Sequence, residues 1–407
     1  MRRSHIVFVF TALAVGCVES TKSGDDDSAA TETGDTGDTG DTDPGFPAVD
    51  GCRAEYRDPE LARTVLANLP FEGDGSDWAV LELSIEGELT DLGARVTAGA
   101  AFLGSGAFTL DGSLGVVAQD DGTLAVFEVD SAGNVTVVES GWTSGFYASA
   151  VSMHPSGERA WVVDQNTVEN GGGVYAVDLS CTDGTPSASA VPVDTLGRIY
   201  AANLPAAALS VPGREDRLIV VGAQEDGADV SLLAVPAGTE LDRIDAFSDD
   251  DDAWLTVADI SPQGDLVLLT DTSAWSDREN AVAAISLQAD ILVHAGVDDL
   301  FDGVALRIGP DGTTAVASSG YADAIVRMAV DTTAPDAVTV QGTLHTDGGS
   351  PQLPGSMVSV QRGSLGGLVL VGEVYGIRAM MMGLDGDATD LGVTSGLSNP
   401  GALLVQP

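Results

Sequence analysis

The chain has 407 residues, 62 of them acidic against 17 basic, with Lys22 the single lysine and a formal net charge of −45. A surface this acidic repels nucleic acid and anionic lipid headgroups and excludes both as direct partners; cations, divalent ions or simple solubility in salt suit it. Its apolar runs are short, β-rich and punctuated by Gly and Asp, which excludes a helical chain, and its length allows one large all-β domain.

Residues 1–17 read as an export signal: a basic start at Arg2 and Arg3, an apolar stretch from Ile6 to Leu13, then Leu13-Ala14-Val15-Gly16-Cys17. The apolar run falls short of the roughly 20 residues that a spanning helix needs, so it is removable targeting sequence. The Gly16-Cys17 junction resembles the lipobox of bacterial lipoproteins, which implies acylation of Cys17 and anchoring to the cell envelope. Val18 follows the cysteine, with no Asp there to suggest inner-membrane retention, so the outer membrane is expected.

Residues 18–50 are almost wholly Asp, Thr, Gly, Ser and Glu, with Gly-Asp-Thr recurring from Gly34 to Thr42. Such a segment buries too little apolar surface to offset its ordering entropy, and its like charges extend it. A tether is expected that holds residues 51–407 clear of the lipid. With Cys17 assigned to lipid, Cys52 and Cys181 are left as a pair in an exported chain, and a disulfide is expected between them.

One six-residue strand then recurs seven times, starting at Trp78, Leu124, Val174, Val230, Val282, Ile325 and Ile377. The starts lie 46, 50, 56, 52, 43 and 52 residues apart, which is one four-stranded propeller blade per repeat. Before each copy after the first, two strands meet at a tight turn, as in Val151–Val163, Val257–Leu269 and Val304–Val316. Pro presets such turns and Gly supplies the positive φ. The first copy lacks this partner, whereas Asn399–Pro407 looks like an inner strand that stops at its turn; Arg63–Leu69 would be the second strand of the same blade. The expected fold is an all-β, seven-bladed propeller of antiparallel four-stranded blades, closed by a C-terminal strand that completes the first blade.

The turns Ser261-Pro-Gln-Gly264 and His154-Pro-Ser-Gly157, each followed by a Val-rich strand, resemble those of the YVTN-repeat and lactonase-like propellers of bacteria. The resemblance spans about 50–407 and implies a ligand face built by two loop sets, those joining second to third strands and those leading into each innermost strand. Placed on those loops, Asp120, Asp164, Glu225, Asp271, Asp323 and Glu373, with Trp275, Tyr321 and Tyr375, are the candidate binding residues of the funnel face. Carboxylates with aromatic walls attract a cation or a cationic ligand, although Asp also belongs in turns. Asp249, Asp250, Asp251 and Asp252 form the densest acidic run, whose oxygens suit Ca²⁺; four adjacent aspartates cannot all face one ion, so a solvated loop is the other reading.

No Gly-x-Ser-x-Gly elbow nominates a nucleophile, and no His or Cys stands at metal-binding spacing. The tether and the missing motifs lead to the expectation of a monomeric envelope lipoprotein. Its propeller would serve as a non-enzymatic binding or scaffold module for a protein, peptide or glycan. Two alternatives stand beside it. One is a lactonase-like enzyme acting on a small lactone through Asp164, Asp271 and Glu373, and the other is a calcium-dependent adhesion module.

Overall fold

The computed structural model describes residues 49, 52, 60, 62–101, 106–119, 122–143, 148–164, 173–192, 206–222, 228–247, 255–272, 280–344, 349–360, 363–383 and 388–407. They form seven four-stranded antiparallel sheets. Blade 1 holds Ala62–Asn68 (β1), Asp77–Ser84 (β2) and Leu89–Thr97 (β3). Blade 2 holds Gly106–Phe108 (β4), Leu114–Ala118 (β5), Thr123–Val129 (β6) and Val135–Thr143 (β7). Blade 3 holds Ala148–Met153 (β8), Arg159–Asp164 (β9), Gly173–Thr182 (β10) and Thr185–Pro192 (β11). Blade 4 holds Ala207–Val211 (β12), Arg214–Val221 (β13), Val230–Ala234 (β14) and Thr239–Ile244 (β15).

Blade 5 holds Leu255–Ile260 (β16), Leu266–Asp271 (β17), Ala281–Gln288 (β18) and Ile291–Asp299 (β19). Blade 6 holds Gly303–Ile308 (β20), Thr314–Ser319 (β21), Ala324–Val330 (β22) and Val338–Thr343 (β23). Blade 7 holds Met357–Ser359 (β24), Leu368–Glu373 (β25), Gly376–Met382 (β26) and Ala388–Ser395 (β27). The last strand, Leu403–Val405 (β28), pairs with β1 in the register Val65↔Val405, Leu66↔Leu404 and Ala67↔Leu403, and so supplies the innermost strand of blade 1. The seven sequence copies are the third strands of the blades, as the spacing predicts.

The core is a ring of apolar wedges between neighbouring blades. Leu66, Trp78, Phe127 and Leu404 fill the wedge between blades 1 and 2, Val116, Val151 and Val162 that between blades 2 and 3, and Trp161, Leu218 and Leu233 the next. Blades 7 and 1 close on Val65, Leu81, Leu370, Leu403 and Val405. Each fully buried side chain of this size stabilises by about 1.5–3 kcal/mol. Polar side chains of one blade also reach backbone of the next. Ser152 Oγ donates to Ala208 O, Thr270 Oγ1 to Gly303 O at 2.9 Å, Ser318 Oγ to Gly355 O at 2.9 Å, and Gln406 Nε2 to Gly112 O at 2.6 Å.

Two faces result. Turns between first and second strands, and between third and fourth strands, lie on one face, and the funnel-face loops lie on the other. Gly264 shows how tightly the first face packs. Its φ is +72°, and a Cβ there would stand 2.8 Å from Pro212 O in the turn of the neighbouring blade. On this face Arg217 of blade 4 donates to Asp290 of blade 5 at 2.8 and 3.0 Å, and the two arginines Arg214 and Arg217 hold the Asp290 carboxyl well below the usual carboxylate range. The Cys52–Cys181 disulfide forms here too, and Cys52 pairs in parallel with Gly184 in the turn between β10 and β11.

If β28 carries ring closure, Leu404→Ala, which empties a side chain 1% exposed, should cost about 2–5 kcal/mol in urea unfolding. A loss under about 1 kcal/mol would show that closure lies elsewhere.

Candidate functional site

The funnel face divides into two arcs. Blades 3, 4 and 5 bring buried carboxyls to the ends of their strands. Asp164 closes β9 and is fully buried, Asp271 closes β17 at 6% exposure, and Asp229 immediately precedes β14 at 5%. Asp229 has fixed backbone partners. Its Oδ2 accepts from Ala246 N at 2.9 Å, its own N–H donates to Ile244 O, and its carbonyl accepts from Gly222 N. The exposed Asp245 carboxyl, which accepts from Phe247 N at 3.0 Å, is hydrogen-bonded to it. Burial above all, with the neighbouring Asp245 opposing a second negative charge, pushes the Asp229 carboxyl up to about 7. Asp229 is sealed inside, and Asp245 beside it faces solvent. His294 of blade 5 meets Ala246 O through Nε2 at 3.2 Å and braces the same backbone.

Blades 6, 7 and 1 carry the other arc. Tyr321 and Tyr375 lie exposed on loops between second and third strands, as the sequence places them. Asp323 is exposed, sits at a φ of 48° and accepts from Leu353 N at 2.7 Å, so it ties the loop leading into blade 7 to blade 6. Glu373 is not open to a ligand. It is buried and ion-paired with Arg378 Nε, and it accepts from Gln352 N at 3.3 Å; Arg378 also donates to Asp390 at 2.5 Å and Gly349 O at 3.2 Å. This network spends its charges on holding the long loop 349–356.

The structure therefore spreads the candidates around the ring. Asp164 and Asp271 belong to the first arc and Tyr321, Asp323, Glu373 and Tyr375 to the second. Asp120, Glu225, Trp275 and the run Asp249, Asp250, Asp251 and Asp252 lie outside the described residues, as does Cys17. Among the described residues no three His, Cys, Asp or Glu side chains gather as a metal site. Asp229 and Asp245 were not singled out by the sequence. A signal for Asp229 is present, however. In the slot immediately before the repeated strand, four of the seven copies have Gly or Ala (Gly173, Ala281, Ala324 and Gly376), all buried, although Asp77 and Thr123 in the same slot of blades 1 and 2 are half-buried.

No family model matches the chain, and no curated protein matches it. Solved structures match its fold. The periplasmic gluconolactonase PpgL of Pseudomonas aeruginosa aligns over 85% of this chain and 99% of its own, with a TM-score of 0.64 and 14% identity. A candidate 6-phosphogluconolactonase of Bacteroides fragilis aligns over 85% and 98% at 0.64 and 14% identity. Another, from Bacteroides uniformis, aligns over 84% and 99% at 0.65 and 13%.

One expectation is corrected by these neighbours, that of a non-enzymatic binding or scaffold module. It rested on missing linear motifs, whereas the neighbours are described as lactonases. The geometry supplies the physical reason. A propeller assembles its face from loops about 50 residues apart. Groups such as Asp164, Asp229, Asp245 and Asp271 therefore leave no local motif, and the lack of one carries no information.

The raised Asp229 carboxyl makes a stability prediction. Between the unfolded value near 4 and the folded value of about 7, the folded state holds a proton that the unfolded state has lost, so stability falls as pH rises through this window. Asp259, raised to about 6 chiefly by burial, adds to the same trend. The melting temperature should drop by several degrees from pH 5 to pH 8, and Asp229→Asn should flatten that slope. Identical slopes in both proteins would count against the raised Asp229 carboxyl.

Proposed function

We propose that the chain is an exported lactonase-like hydrolase that opens a small lactone, with the Asp229–Asp245 pair as its acid–base group. The observation that supports the reading is the placement of that pair: Asp229 is buried on the funnel face, burial pushes its carboxyl up to about 7, and the exposed Asp245 stands beside it. Lactone hydrolysis needs both halves of such a pair. Water adds to the ring carbonyl while its proton passes to the carboxylate; the ring C–O bond then breaks, and the leaving oxygen takes a proton back to give a hydroxy acid. A group poised near the working pH serves both transfers. Asp164 and Asp271, on the flanking blades, are proposed to position the substrate.

The same proposal includes an envelope location, with Cys17 lipidated and residues 18–50 as tether. Cys52 is bonded to Cys181 on the face opposite the funnel, so a tether ending there turns the funnel away from the lipid.

Glucono-δ-lactone and γ-valerolactone are suitable first substrates. The activity should rise with pH through about 7 as Asp229 loses its proton, and Asp229→Asn or Asp245→Asn should lower kcat by about 10²–10⁴-fold. Turnover no faster than in buffer, or unchanged in both variants, would remove the enzymatic reading. Separately, radiolabelled palmitate should be incorporated by the wild type and not by Cys17→Ser; equal labelling would remove the anchor.

A further inference from the structure

Four described aromatic side chains are exposed on the funnel face of blades 6, 7 and 1. Phe71 (59%) is on the loop of blade 1, Tyr375 (67%) on that of blade 7 and Tyr321 (47%) on that of blade 6, with Phe301 (53%) on the loop leading into blade 6. Leu353, 42% exposed, stands between blades 6 and 7. The remaining described Trp and Phe side chains, such as Trp78, Phe127 and Trp161, are buried, and Tyr175 is half-buried. Exposed rings gathered on one surface mark an interaction site.

The rim is held in shape by bonds handed from loop to loop. Tyr321 N donates to Asp302 Oδ2 at 2.6 Å, Leu353 N to Asp323 Oδ1 at 2.7 Å, and Val374 N to Gln352 O at 3.1 Å. Asn399 N donates to Val374 O at 2.9 Å and Gly401 N to Asn68 O at 2.9 Å; Asn68 Nδ2 then fixes the Phe71 loop through Gly75 O at 3.1 Å. The rings are therefore presented with little ordering entropy left to lose.

Charge selects the occupant. Asp74, Asp299 and Asp323 are exposed beside Phe71, Phe301 and Tyr321, and no Arg or Lys lies in the described rim loops. Ring faces attract cations, and carboxylates beside them strengthen the field, so anions are rejected and hydrophobic neutral ligands leave the carboxylates unused. Distance selects its shape. Packed sheets stand about 10 Å apart, so rings on successive blades cannot form one small cage and need an occupant that spans them.

We infer that this rim binds an extended organic cation, a linear polyamine, with its methylene stretches against the rings and its ammonium groups between ring faces and carboxylates. The inference is independent of the proposed catalysis, because binding is read with no lactone present.

Spermidine titrated into the full chain by calorimetry tests it, with magnesium in excess to suppress attraction by overall charge. Phe71→Ala, Tyr321→Ala and Tyr375→Ala leave the net charge unchanged and should each weaken binding about 2–5-fold. Tyr375→Leu, which keeps apolar area and loses the ring, should weaken it similarly, and 1,8-octanediol should not bind. No spermidine binding, equal affinity in all the ring variants, or octanediol binding as tightly as spermidine would each overturn the proposal.

Discussion

The pairing of β28 with β1 decides whether seven wedges make a ring or an open stack with two raw faces. β28 is only three residues long, yet its alternation serves both neighbours: Leu403 and Val405 enter the wedge against blade 7, Leu404 that against blade 2. The residues beyond it extend the closure in polar form. Gln406 accepts from Thr64 N at 2.8 Å and donates to Gly112 O, while Arg63 Nε donates to Pro407 O at 3.3 Å. A chain end is ordinarily where order frays, and here it is buried on both sides. Closure also leaves no innermost strand unpaired, which is how a propeller avoids exposed sheet edges.

Closure in turn separates the demands on the two faces. The turn face is tightened by glycines in close contact and by ion pairs between blades, such as Arg217 with Asp290, and it receives the disulfide. The funnel face collects carboxyls and rings on its described loops. Function can concentrate there because loops on a rigid frame tolerate change that the wedges do not. The buried Glu373–Arg378–Asp390 network belongs to the frame. It satisfies three charges among themselves and, through Gly349 and Gln352, shapes a loop that an apolar residue could not hold.

The fold was legible because a blade writes itself seven times. The repeated strand, the Gly turns and the orphan C-terminal strand could be read as β2, β6 and their counterparts, with β28 as the missing partner, from period alone. The site was not legible in the same way. In a chain with 62 acids, Asp323 and Glu373 look alike in sequence, one exposed and one sealed in an ion pair. Only three-dimensional packing separates them. Asp229 escaped notice because a carboxyl before a strand reads as turn chemistry. Small buried residues occupy its slot in four other blades, a hint that appears only across blades and that the half-buried Asp77 in the same slot of blade 1 weakens.

Among the described residues three carboxyls, Asp229, Asp259 and Asp302, are raised chiefly by burial, and the difference between the first two shows why perturbation alone does not make a site. Asp259 lies on the innermost strand β16, accepts from Ile308 N at 2.8 Å and feels the buried Arg307 of the next blade, whose Nη2 donates to Met357 O. Its partners are fixed and its surroundings closed, so it can help to register blades 5, 6 and 7 but has no route for a proton. Removing one member of such a buried pair leaves the other uncompensated, a structural penalty unconnected with chemistry. Asp229 has the same cause for its shift but different surroundings. Its neighbour Asp245 is exposed at the funnel face. Burial raises both carboxyls, and the exposed acid beside Asp229 is the reason that it, and not Asp259, enters the proposed chemistry.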